Sequence, residues 1–428
     1  MTKRVIALID CNSFFCSCER LFRPELRNRP VGVLSNNDGC FVSRTNELKA
    51  LGVAMGTPYF KVKDLCEKHN VAVFSSNFAL YTNLSDRVMS VLSRFAPTIE
   101  VYSVDEAFLD LTGLQVDFNH YAREIRDTVY REVGIPVSVG IAPTKTLAKI
   151  ANHIGKKSKK ANGAVVLLEE RLQDIALEKI EVEDIWGIGR KNSIKLRSLG
   201  VKNAYQFKVF KNTFMIQKIF TKLGRMTQDE LRGIPCFELE PFSEKKKEIM
   251  CSRSFGTPVV SLRELRESVA NYATNASEKM RKQQSACAVI EVFCRSNPFS
   301  MNDEQYYARS YKKLLTPTCD TRKIIKYAWN VLDELFKMGI VYKKAGICLS
   351  SFEDHNQIQP SLFNSGDEIK DDSKTLKLMK VMDEINAREG AGAIRSMACG
   401  IDNKSWAMKR DKLSPRYVTG WLNLPKAN

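Results

Sequence analysis

The chain has 428 residues, of which 66 are lysine or arginine and 49 are aspartate or glutamate, so its formal net charge is +17. A single hydrophobic core stops growing at about 250–300 residues, and the length therefore predicts three or four domains. The positive charge favours a polyanionic partner such as nucleic acid, although a ribosomal or membrane-surface protein would share it. No apolar run approaches the ~20 residues that span a bilayer, which argues against a membrane protein.

The start of the chain and its cysteines indicate a cytoplasmic protein. The apolar run over residues 5–9 is cut off by Asp10 and is too short for a signal peptide. The twelve cysteines are scattered, no Cys-x-x-Cys spacing occurs, and the four histidines do not cluster with them. We therefore expect reduced structural thiols.

Three carboxylates lie at the ends of predicted strands. A strand over residues 5–9 leads into Asp10, and apolar residues flank the pair Asp105 and Glu106, which predicts two short strands joined by a tight turn. Adjacent carboxylates at such a turn repel each other unless a cation lies between them. If the strands share one sheet, the three carboxylates form a ligand set for two Mg²⁺ ions, which indicates phosphoryl or nucleotidyl transfer. The alternative is a solvated acidic turn, with Asp10 merely capping a helix.

Several basic or polar segments lie between and beyond these strands. Residues 35–40 form a polar turn, and the short helix predicted after it ends at Gly52. Lys145 opens a helix after a strand, where its ammonium could neutralise phosphate charge. The lysines that follow could equally form a solvated loop: Lys156, Lys157, Lys159 and Lys160.

Two further patterns lie beyond residue 168. Gly187 and Gly189 lie in a helix-hairpin-helix turn, whose exposed N–H groups can hold a DNA phosphate. Residues 186–235 carry eleven lysines and arginines against two acidic residues, which favours non-specific binding to the DNA backbone. After a charged linker, residues 249–352 are predicted to fold in the order β-α-β-β-α-β, the split βαβ arrangement.

These motifs resemble those of the Y-family translesion DNA polymerases. The first family motif is an acid, a residue that supplies its backbone carbonyl, and an aromatic ring five positions after the acid, as in Asp10, Cys11 and Phe15. The second is Ser-x-Asp-Glu-Ala-x-x-Asp, as in residues 103–110. Residues 35–40 and 413–421 are similar to the UmuC branch, the catalytic subunit of DNA polymerase V. The resemblance runs nearly end to end.

The resemblance implies an α+β multidomain fold shaped as a right-hand polymerase. The palm would comprise residues 1–20 and 79–168, and the fingers residues 21–78. A helical thumb with the helix-hairpin-helix would cover residues 169–240, and a β-α-β-β-α-β little finger residues 245–352. Residues 353–428 would be a C-terminal tail with a clamp-binding peptide and a partner-binding region.

The resemblance also implies roles for individual residues. Asp10, Asp105 and Glu106 would be catalytic and would hold two Mg²⁺ ions together with the Cys11 carbonyl. Phe15 would be the steric gate against ribonucleotides; UmuC relatives commonly have Tyr there. The residues implied to bind the triphosphate are Asn46, which departs from the usual Tyr, Lys49 and Lys145.

Primer–template DNA and several proteins are the implied partners. The implied DNA contacts are Gly187, Gly189, Arg190, Lys191, Arg253 and Lys312. Gln359, Leu362 and Phe363 resemble the bacterial sliding-clamp motif Gln-x-x-Leu-Phe. The UmuC-like tail implies a UmuD′-like subunit and RecA.

Together these features predict error-prone, template-directed translesion synthesis from dNTPs in the SOS response. Two alternatives remain open. A nucleotide cyclase also uses palm carboxylates and two metals, but it has no need of the helix-hairpin-helix or the clamp peptide. A catalytically inactive DNA-binding scaffold that recruits SOS partners would not need the three intact acids.

Overall fold

The computed structural model describes residues 3–242, 244–355, 366–401 and 404–420, with the backbone alone for 366–373. The predicted clamp-binding residues Gln359, Leu362 and Phe363 lie outside the described residues. The chain forms two compact units. One runs as far as Ser243 and takes in the chain again from Lys412, and the other covers Glu244–Asp411.

The described part of the first unit contains eight strands and ten α-helices. In chain order they are β1 (Ile6–Cys11), α1 (Phe14–Leu21), β2 (Val31–Leu34), β3 (Phe41–Arg44), α2 (Asn46–Ala50), α3 (Lys63–Lys68), β4 (Ala72–Ser75), α4 (Phe78–Leu92), β5 (Thr98–Val101), β6 (Glu106–Asp110), α5 (Phe118–Val133), β7 (Val137–Ala142), α6 (Lys145–Lys157), β8 (Ala164–Val166), α7 (Glu170–Glu178), α8 (Arg190–Ser198), α9 (Ala204–Val209) and α10 (Thr213–Leu231).

A five-stranded sheet in the order β5-β6-β1-β7-β8 forms the centre of this unit. Strand β1 is antiparallel to both β6 and β7, and all its residues are buried, as expected for the apolar run that precedes Asp10. Helix α6 approaches β7 closely because Gly140 has no side chain: a Cβ there would lie 2.3 Å from the backbone nitrogen of Asn152. The Asn152 amide donates to the carbonyls of Leu8 and Ser138. Helix α6 is therefore fixed against the two central strands.

Side-chain caps begin the helices that cover this sheet. Asn77 caps α4, Asp117 caps α5 and Thr144 caps α6, each by accepting a hydrogen bond from a backbone N–H of the first turn. Helix α5 ends at Gly134, whose φ of 78° is in the left-handed region. These local signals fix where each helix starts and stops relative to the strands.

A second sheet in the same unit has the order β3-β2-β4, in which β2 is antiparallel to β3 and parallel to β4. Leu34, Phe41 and Leu48 are fully buried in its small core. Helices α7–α10 follow the five-stranded sheet in the chain, and their core contains Leu177, Phe207 and Ile216.

The second unit contains a four-stranded antiparallel sheet in the order β11-β10-β12-β9. Its elements are β9 (Glu248–Val259), α11 (Leu262–Lys282), β10 (Ser285–Arg295), β11 (Tyr307–Thr318), α12 (Thr321–Leu335), β12 (Tyr342–Asp354) and α13 (Gly366–Glu389). The first six follow the β-α-β-β-α-β order that the sequence predicts. Helices α11 and α12 cover one face of the sheet and enclose a core that includes Ile290, Ala328 and Ile347.

The C-terminal region is divided between the units, whereas the sequence predicted one tail over residues 353–428. In the second unit, Arg281 donates two hydrogen bonds of 2.7 Å to Asp383, and Trp406 packs edge-on against Tyr272. From Lys412 onward the described residues belong to the first unit. The region divides because it carries apolar residues that are buried in both units, such as Trp406 and Tyr417.

Two further sequence predictions concern the whole chain. All twelve cysteines are free, and ten of them are buried. Within the described residues, no helix has the length and apolar character needed to cross a bilayer.

Glu19 of α1 is fully buried in the first unit. Burial raises its pKa from 4.5 to about 7, although hydrogen bonds from Tyr81 and Ser414 and the charge of Arg23 oppose the shift. The folded protein therefore keeps a proton on Glu19 that the unfolded chain releases between about pH 4.5 and pH 7. Stability from this group is complete below pH 4.5 and is lost as the pH rises through 7.

Glu19→Gln removes this titration. We expect the unfolding free energy of the native chain, relative to the Gln variant, to fall by about 2–3 kcal/mol between pH 5 and pH 8. Urea denaturation of both proteins at each pH measures the difference. A difference that does not change with pH would show that Glu19 is ionised in the folded state throughout.

Gly140→Ala should destabilise the first unit by about 3 kcal/mol, because the added Cβ would force α6 away from β7. Gly155→Ala is the matched control in the same helix. Its Cβ would make ordinary contacts of 3.5 Å with Gly163, and alanine favours a helix, so its stability should stay equal or rise. Equal unfolding midpoints in urea for Gly140→Ala and the native chain would contradict the close approach.

Candidate active site

The register of the central sheet brings two of the predicted carboxylates together. Asp10, in β1, lies directly opposite Glu106, at the start of β6. Cross-strand partners project to the same face, and the two side chains share a hydrogen bond. They are separated by almost a hundred residues in the chain, so only strand pairing creates this contact.

Asp105 occupies the turn immediately before Glu106. Ser103 shapes this turn: its hydroxyl donates to the Asp105 carboxylate at 2.7 Å and accepts from the backbone N–H groups of both acids at 3.2 and 3.0 Å. The N–H of Cys11 donates to the Asp105 carbonyl at 2.8 Å. The end of β1 is thus tied to the acidic turn through the backbone, and the half-buried Asp105 side chain is oriented by Ser103.

Two lysines of α6 neutralise the carboxylate pair. The Lys156 ammonium pairs with Asp10, and that of Lys149 lies 3.1 and 3.0 Å from the two oxygens of Glu106. Lys149 and Lys156 are seven positions apart, two helical turns, and therefore lie on one face of α6. The sequence carried this spacing, but our prediction singled out neither lysine and left Lys156 as part of a possible solvated loop.

The two carboxyl groups differ in their affinity for a proton. Burial raises the pKa of Asp10 to about 7, and the charge of Lys156 offsets the shift only in part. Burial alone would also raise the pKa of Glu106, but the hydrogen bond from Asp10 and the charge of Lys149 bring it below its usual value. Near neutral pH the pair therefore shares a proton, with Asp10 as the donor and Glu106 as the acceptor.

The donor chemistry of this cluster suits a hard divalent cation. Its side chains offer the carboxylate oxygens that such an ion prefers as ligands, and burial makes the ionised form of Asp10 costly unless a cation lies beside it. In the part of the chain that the structure describes, no three His, Cys, Asp or Glu side chains are arranged as a ready ion-binding group. The structure brings together Asp10 and Glu106, and Asp105 adjoins them through the backbone.

A basic cavity of about 940 Å³ opens beside Asp10. Asn12 and Ser13, which follow β1, line it, and so do Asn46 and Lys49 of α2. The other basic side chains in its wall are Arg126, Lys156, Lys157 and Lys159. Burial and the nearby charges of Arg44 and Lys156 lower the pKa of Lys49, so the cavity favours an anion that would relieve this repulsion. A polyphosphate has the required charge.

Lys145, which we predicted to bind a triphosphate, does not line this cavity. Its ammonium is buried, pairs with Glu100 at 2.5 Å and donates to the carbonyl of Glu238 at 2.8 Å. It also lies over the ring of Phe108. The position of Lys145 at the start of a helix suggested a phosphate site. The buried carboxylate of Glu100 neutralises the Lys145 ammonium instead, and Lys156, near the other end of α6, lines the cavity.

Phe15 projects from α1, four residues beyond the last residue of β1. Its ring is half-buried and stacks on Tyr81 of α4, with centroids 4.5 Å apart and an angle of 16° between the planes. The ring of Phe78 meets it edge-on at 6.1 Å. Phe15 is therefore held by other rings close to Asn12 and Ser13, the residues that line the cavity.

The predicted helix-hairpin-helix residues lie on the surface of the first unit. Gly187 has a φ of 85°, which only glycine adopts without strain, and Gly189 precedes the first turn of α8. Arg190 and Lys191 are exposed at this helix start. An exposed helix start that carries two cations suits the binding of a phosphate.

In the second unit, the two predicted DNA contacts lie on the helix-covered side of the sheet. Lys312 is opposite the fully buried Ile290, and cross-strand partners share a face. Arg253 lies two residues from Cys251 and two from Phe255, on the same face of β9, and both of these belong to the core under the helices. The prediction was made without the register and therefore could not assign the face.

The other side of this sheet carries a different basic set. Arg309 lies opposite Phe293, Lys313 opposite Val289, and Lys344 opposite Arg295. Tyr307 and Tyr311 are exposed. They alternate along β11 with the residues that face the helices, and so they lie on the same face as Arg309 and Lys313. We name the face formed by Tyr307, Arg309, Tyr311, Lys313 and Lys344 the open basic face.

Family models match most of the chain. The impB/mucB/samB family model matches residues 9–153, and the model of the impB/mucB/samB family C-terminal domain matches residues 246–362. A domain of unknown function, DUF4113, matches residues 376–427.

Individual relatives align over nearly the whole length. The chain is 44% identical to Protein UmuC of Salmonella typhimurium, over 98% of this chain and 99% of that protein. It is 40% identical to Protein MucB of Escherichia coli over 99% of each chain. Identity to DNA polymerase IV of Clostridium kluyveri is 27%, over 92% of this chain and 97% of that protein. A solved Y-family DNA polymerase chimera shares the fold, with a TM-score of 0.64 and 24% identity over 81% of this chain and 98% of that one.

Substitution of Lys145 and of Lys156 should separate the roles of these two lysines. Lys156→Ala should weaken binding of inorganic triphosphate about 10- to 100-fold, because it removes a cation from the cavity wall. Lys145→Ala should leave that affinity unchanged and lower stability by about 3 kcal/mol, because Glu100 would stay buried without its partner.

Isothermal titration calorimetry and urea denaturation make the two measurements. Lys68→Ala, an exposed lysine of α3 that does not line the cavity, is the control for a general loss of positive charge. Loss of triphosphate affinity in a stably folded Lys145→Ala protein would contradict the assignment.

Proposed function

This chain belongs to the impB/mucB/samB family and is a DNA-directed DNA polymerase of the UmuC-type Y family, and we propose that it performs error-prone synthesis across damaged templates during the SOS response. The observation that carries the proposal is the neutralised pair of Asp10 and Glu106 beside a basic cavity of about 940 Å³. Acids that can hold cations and a wall that can hold phosphates are the two requirements of nucleotidyl transfer.

The units correspond, in this proposal, to the parts of a right-hand polymerase. The palm is the five-stranded sheet with its helices (residues 1–20 and 79–168), and the fingers are the three-stranded sheet and its helices (residues 21–78). Helices α7–α10 form the thumb (residues 169–240). The second unit provides the little finger over residues 245–352.

Metal binding is assigned to the acids at the centre of the palm. Asp10, Asp105, Glu106 and the Cys11 carbonyl would hold two Mg²⁺ ions. When bound, the ions activate the primer 3′-OH and neutralise the charge that develops on the transferred phosphate. For the acids to act as ligands, Asp10 must give up the proton that it shares with Glu106, and Lys149 and Lys156 must release their partners.

The released Lys156 is then free to bind the triphosphate, because it already lines the cavity. Lys49 and Asn46 hold the phosphates from the α2 side. The charged form of Lys49 becomes more favourable when the bound anion offsets the positive charge of the cavity. Phe15 lies under the sugar and excludes the 2′-OH of a ribonucleotide by contact with its ring. Lys145 supports the palm through Glu100 and does not contact the substrate.

DNA binding uses surfaces of both units. The helix-hairpin-helix residues Gly187, Gly189, Arg190 and Lys191 hold backbone phosphates. In the little finger, the open basic face replaces Arg253 and Lys312 as the DNA-binding set. Contacts to phosphate alone give little sequence preference and strong salt dependence, as a polymerase that copies any template needs.

Protein partners complete the proposal. Gln359, Leu362 and Phe363 bind the sliding clamp, and the C-terminal region binds a UmuD′-like subunit and RecA. These contacts would bring the enzyme to a stalled primer end in the cytoplasm. The proposal for them rests on the family and on the clamp-like sequence.

Primer extension across an abasic template site tests the function. The native chain is assayed with Mg²⁺, in the absence and presence of clamp, UmuD′-type subunit and activated RecA. Asp105→Ala should reduce extension at least about 100-fold, more than loss of an outer partner of a metal ligand does. Asp86→Ala, an exposed acid on α4, should extend like the native chain.

Two results would favour another function. Full extension by Asp105→Ala, or no extension by the native chain despite tight, salt-sensitive DNA binding, would support a DNA-binding scaffold. Formation of a cyclic nucleotide without binding to primer–template would support a cyclase.

A further inference from the structure

The C-terminal segment over residues 412–420 is anchored at both ends in the first unit. At one end, the Ser75 N–H donates to the Lys412 carbonyl and the Lys412 N–H donates to the Ser75 hydroxyl, both at 3.0 Å. At the other end, Tyr417 stacks on Phe22 with centroids 4.6 Å apart, and its hydroxyl accepts from Arg23 at 3.0 Å. The segment is therefore held to the palm and fingers by backbone, ring and polar contacts.

Between these anchors, Ser414 contacts a buried acid. The Ser414 hydroxyl donates to Glu19 Oε1 at 3.1 Å and accepts from the Asn77 amide at 3.0 Å. Tyr81 donates to the same Glu19 oxygen at 2.7 Å. Glu19 is 0% exposed and Ser414 is 4% exposed. Ser414 thus supplies one of two hydroxyl donors to a carboxyl group that water does not reach.

This polar cluster is in direct contact with the proposed steric gate. Phe15 and Glu19 are four residues apart in α1 and so project from neighbouring turns on one face of the helix. Tyr81 touches both: its ring stacks on Phe15 and its hydroxyl binds Glu19. A continuous chain of contacts therefore runs from Ser414 through Glu19 and Tyr81 to the ring of Phe15.

The chain of contacts determines how firmly the gate is held. Without the Ser414 hydroxyl, Glu19 has one donor fewer in a buried site, where an unmet hydrogen bond is costly. Tyr81 is the side chain best placed to compensate, but any shift of its hydroxyl moves the ring on which Phe15 stacks. Steric exclusion of one hydroxyl group depends on the position of that ring, because repulsive contacts change steeply with distance.

We propose that residues 412–420, which belong to the domain of unknown function, brace Phe15 and thereby set how strongly the enzyme rejects ribonucleotides. Ser414 is a positioning residue in this assignment, since it acts through Glu19 and Tyr81. The inference rests on the proposed function, because Phe15 selects the sugar only if the cavity holds a nucleotide. It gives the end of the chain a role in substrate choice in addition to partner binding.

Single-nucleotide insertion by the full-length chain tests the brace. Insertion of dCTP and of CTP opposite a template guanine is measured on undamaged primer–template, with clamp, UmuD′-type subunit and activated RecA present throughout. The quantity compared is the ratio of kcat/KM for dCTP to kcat/KM for CTP. Values of kcat and KM are obtained separately for each nucleotide.

Three variants of the C-terminal region are compared with the native chain. Ser414→Ala removes the hydroxyl, and Ser414→Thr keeps it. Ser405→Ala is the matched control, because it removes another serine hydroxyl of the same C-terminal domain that donates to a glutamate, Glu264, in the second unit.

We expect the dCTP-to-CTP ratio to fall about 3- to 10-fold in Ser414→Ala, the size expected if part of one buried hydrogen bond acts on the gate. The change should lie in kcat/KM for CTP, with kcat for dCTP and DNA affinity unchanged. Ser414→Thr and Ser405→Ala should keep the native ratio. A general loss of stability would instead lower insertion of both nucleotides together.

A native ratio in folded Ser414→Ala, or an equal fall in Ser405→Ala, would overturn the inference and leave the polymerase assignment intact. If the native chain inserts neither nucleotide under any condition, the proposed function itself fails. If Ser414→Ala does not fold, Tyr417→Phe decides: it keeps the stack on Phe22 but loses the bond from Arg23, and an unchanged ratio there overturns the brace.

Discussion

The antiparallel pairing of β1 with β6 is the constraint on which the proposed chemistry depends. It sets Asp10 opposite Glu106 and joins Cys11 to the acidic turn by a backbone hydrogen bond of 2.8 Å. A shift of one residue in this register would send the Asp10 side chain to the opposite face of the sheet. The two cores on either side of β1 oppose such a shift, since it would exchange Ile6 and Leu8 of one core with Ala7 and Ile9 of the other. The sheet core therefore fixes the geometry of the proposed catalytic site.

Helix α6 supplies the second condition, which is charge. Two carboxylates cannot be buried side by side without compensation, because each loses several kcal/mol of hydration. A shared proton and the ammonium groups of Lys149 and Lys156 provide that compensation. In the proposed active state the acids would hold the cations, and Lys156, which lines the cavity, would meet the phosphates. The resting ion pairs thus keep both kinds of ligand close to their places in the proposed active state.

The same helix separates two kinds of lysine that look alike in the sequence. Lys145 is buried against Glu100 and Phe108, so its charge supports the fold. Lys156 lies at the far end of the helix, where it pairs with Asp10 and lines the cavity, so the proposed substrate would meet its charge once that pair opens. The C-terminal domain shows the same principle on a larger scale. Its residues belong to the second unit as far as Asp411 and to the first unit from Lys412. Ser405 therefore binds Glu264 of the second unit, whereas Ser414 binds Glu19 of the first.

The sequence by itself determined the elements and singled out the acids that we propose to be catalytic. Period-two and helical patterns are local, so they predicted the strands around Asp10 and Glu106 and the β-α-β-β-α-β order of the second unit. The motif in residues 103–110 pointed to the acidic turn because its residues are neighbours in the chain. The clamp-binding assignment of Gln359, Leu362 and Phe363 stays a prediction, since these residues lie outside the described part of the chain.

Only the tertiary structure decided which partners the charged side chains meet. Lys145 pairs with Glu100 and Lys156 pairs with Asp10. Neither ion pair follows from the spacing of the lysines along the helix. The face on which Arg253 and Lys312 lie depends on register with strands far away in the sequence, which the sequence pattern does not supply. Ser414 reaches Glu19 across 395 positions. Local patterns fix which atoms a segment offers, whereas long-range packing chooses the atoms that they touch, because burial leaves each polar group only the partners that the fold brings within reach.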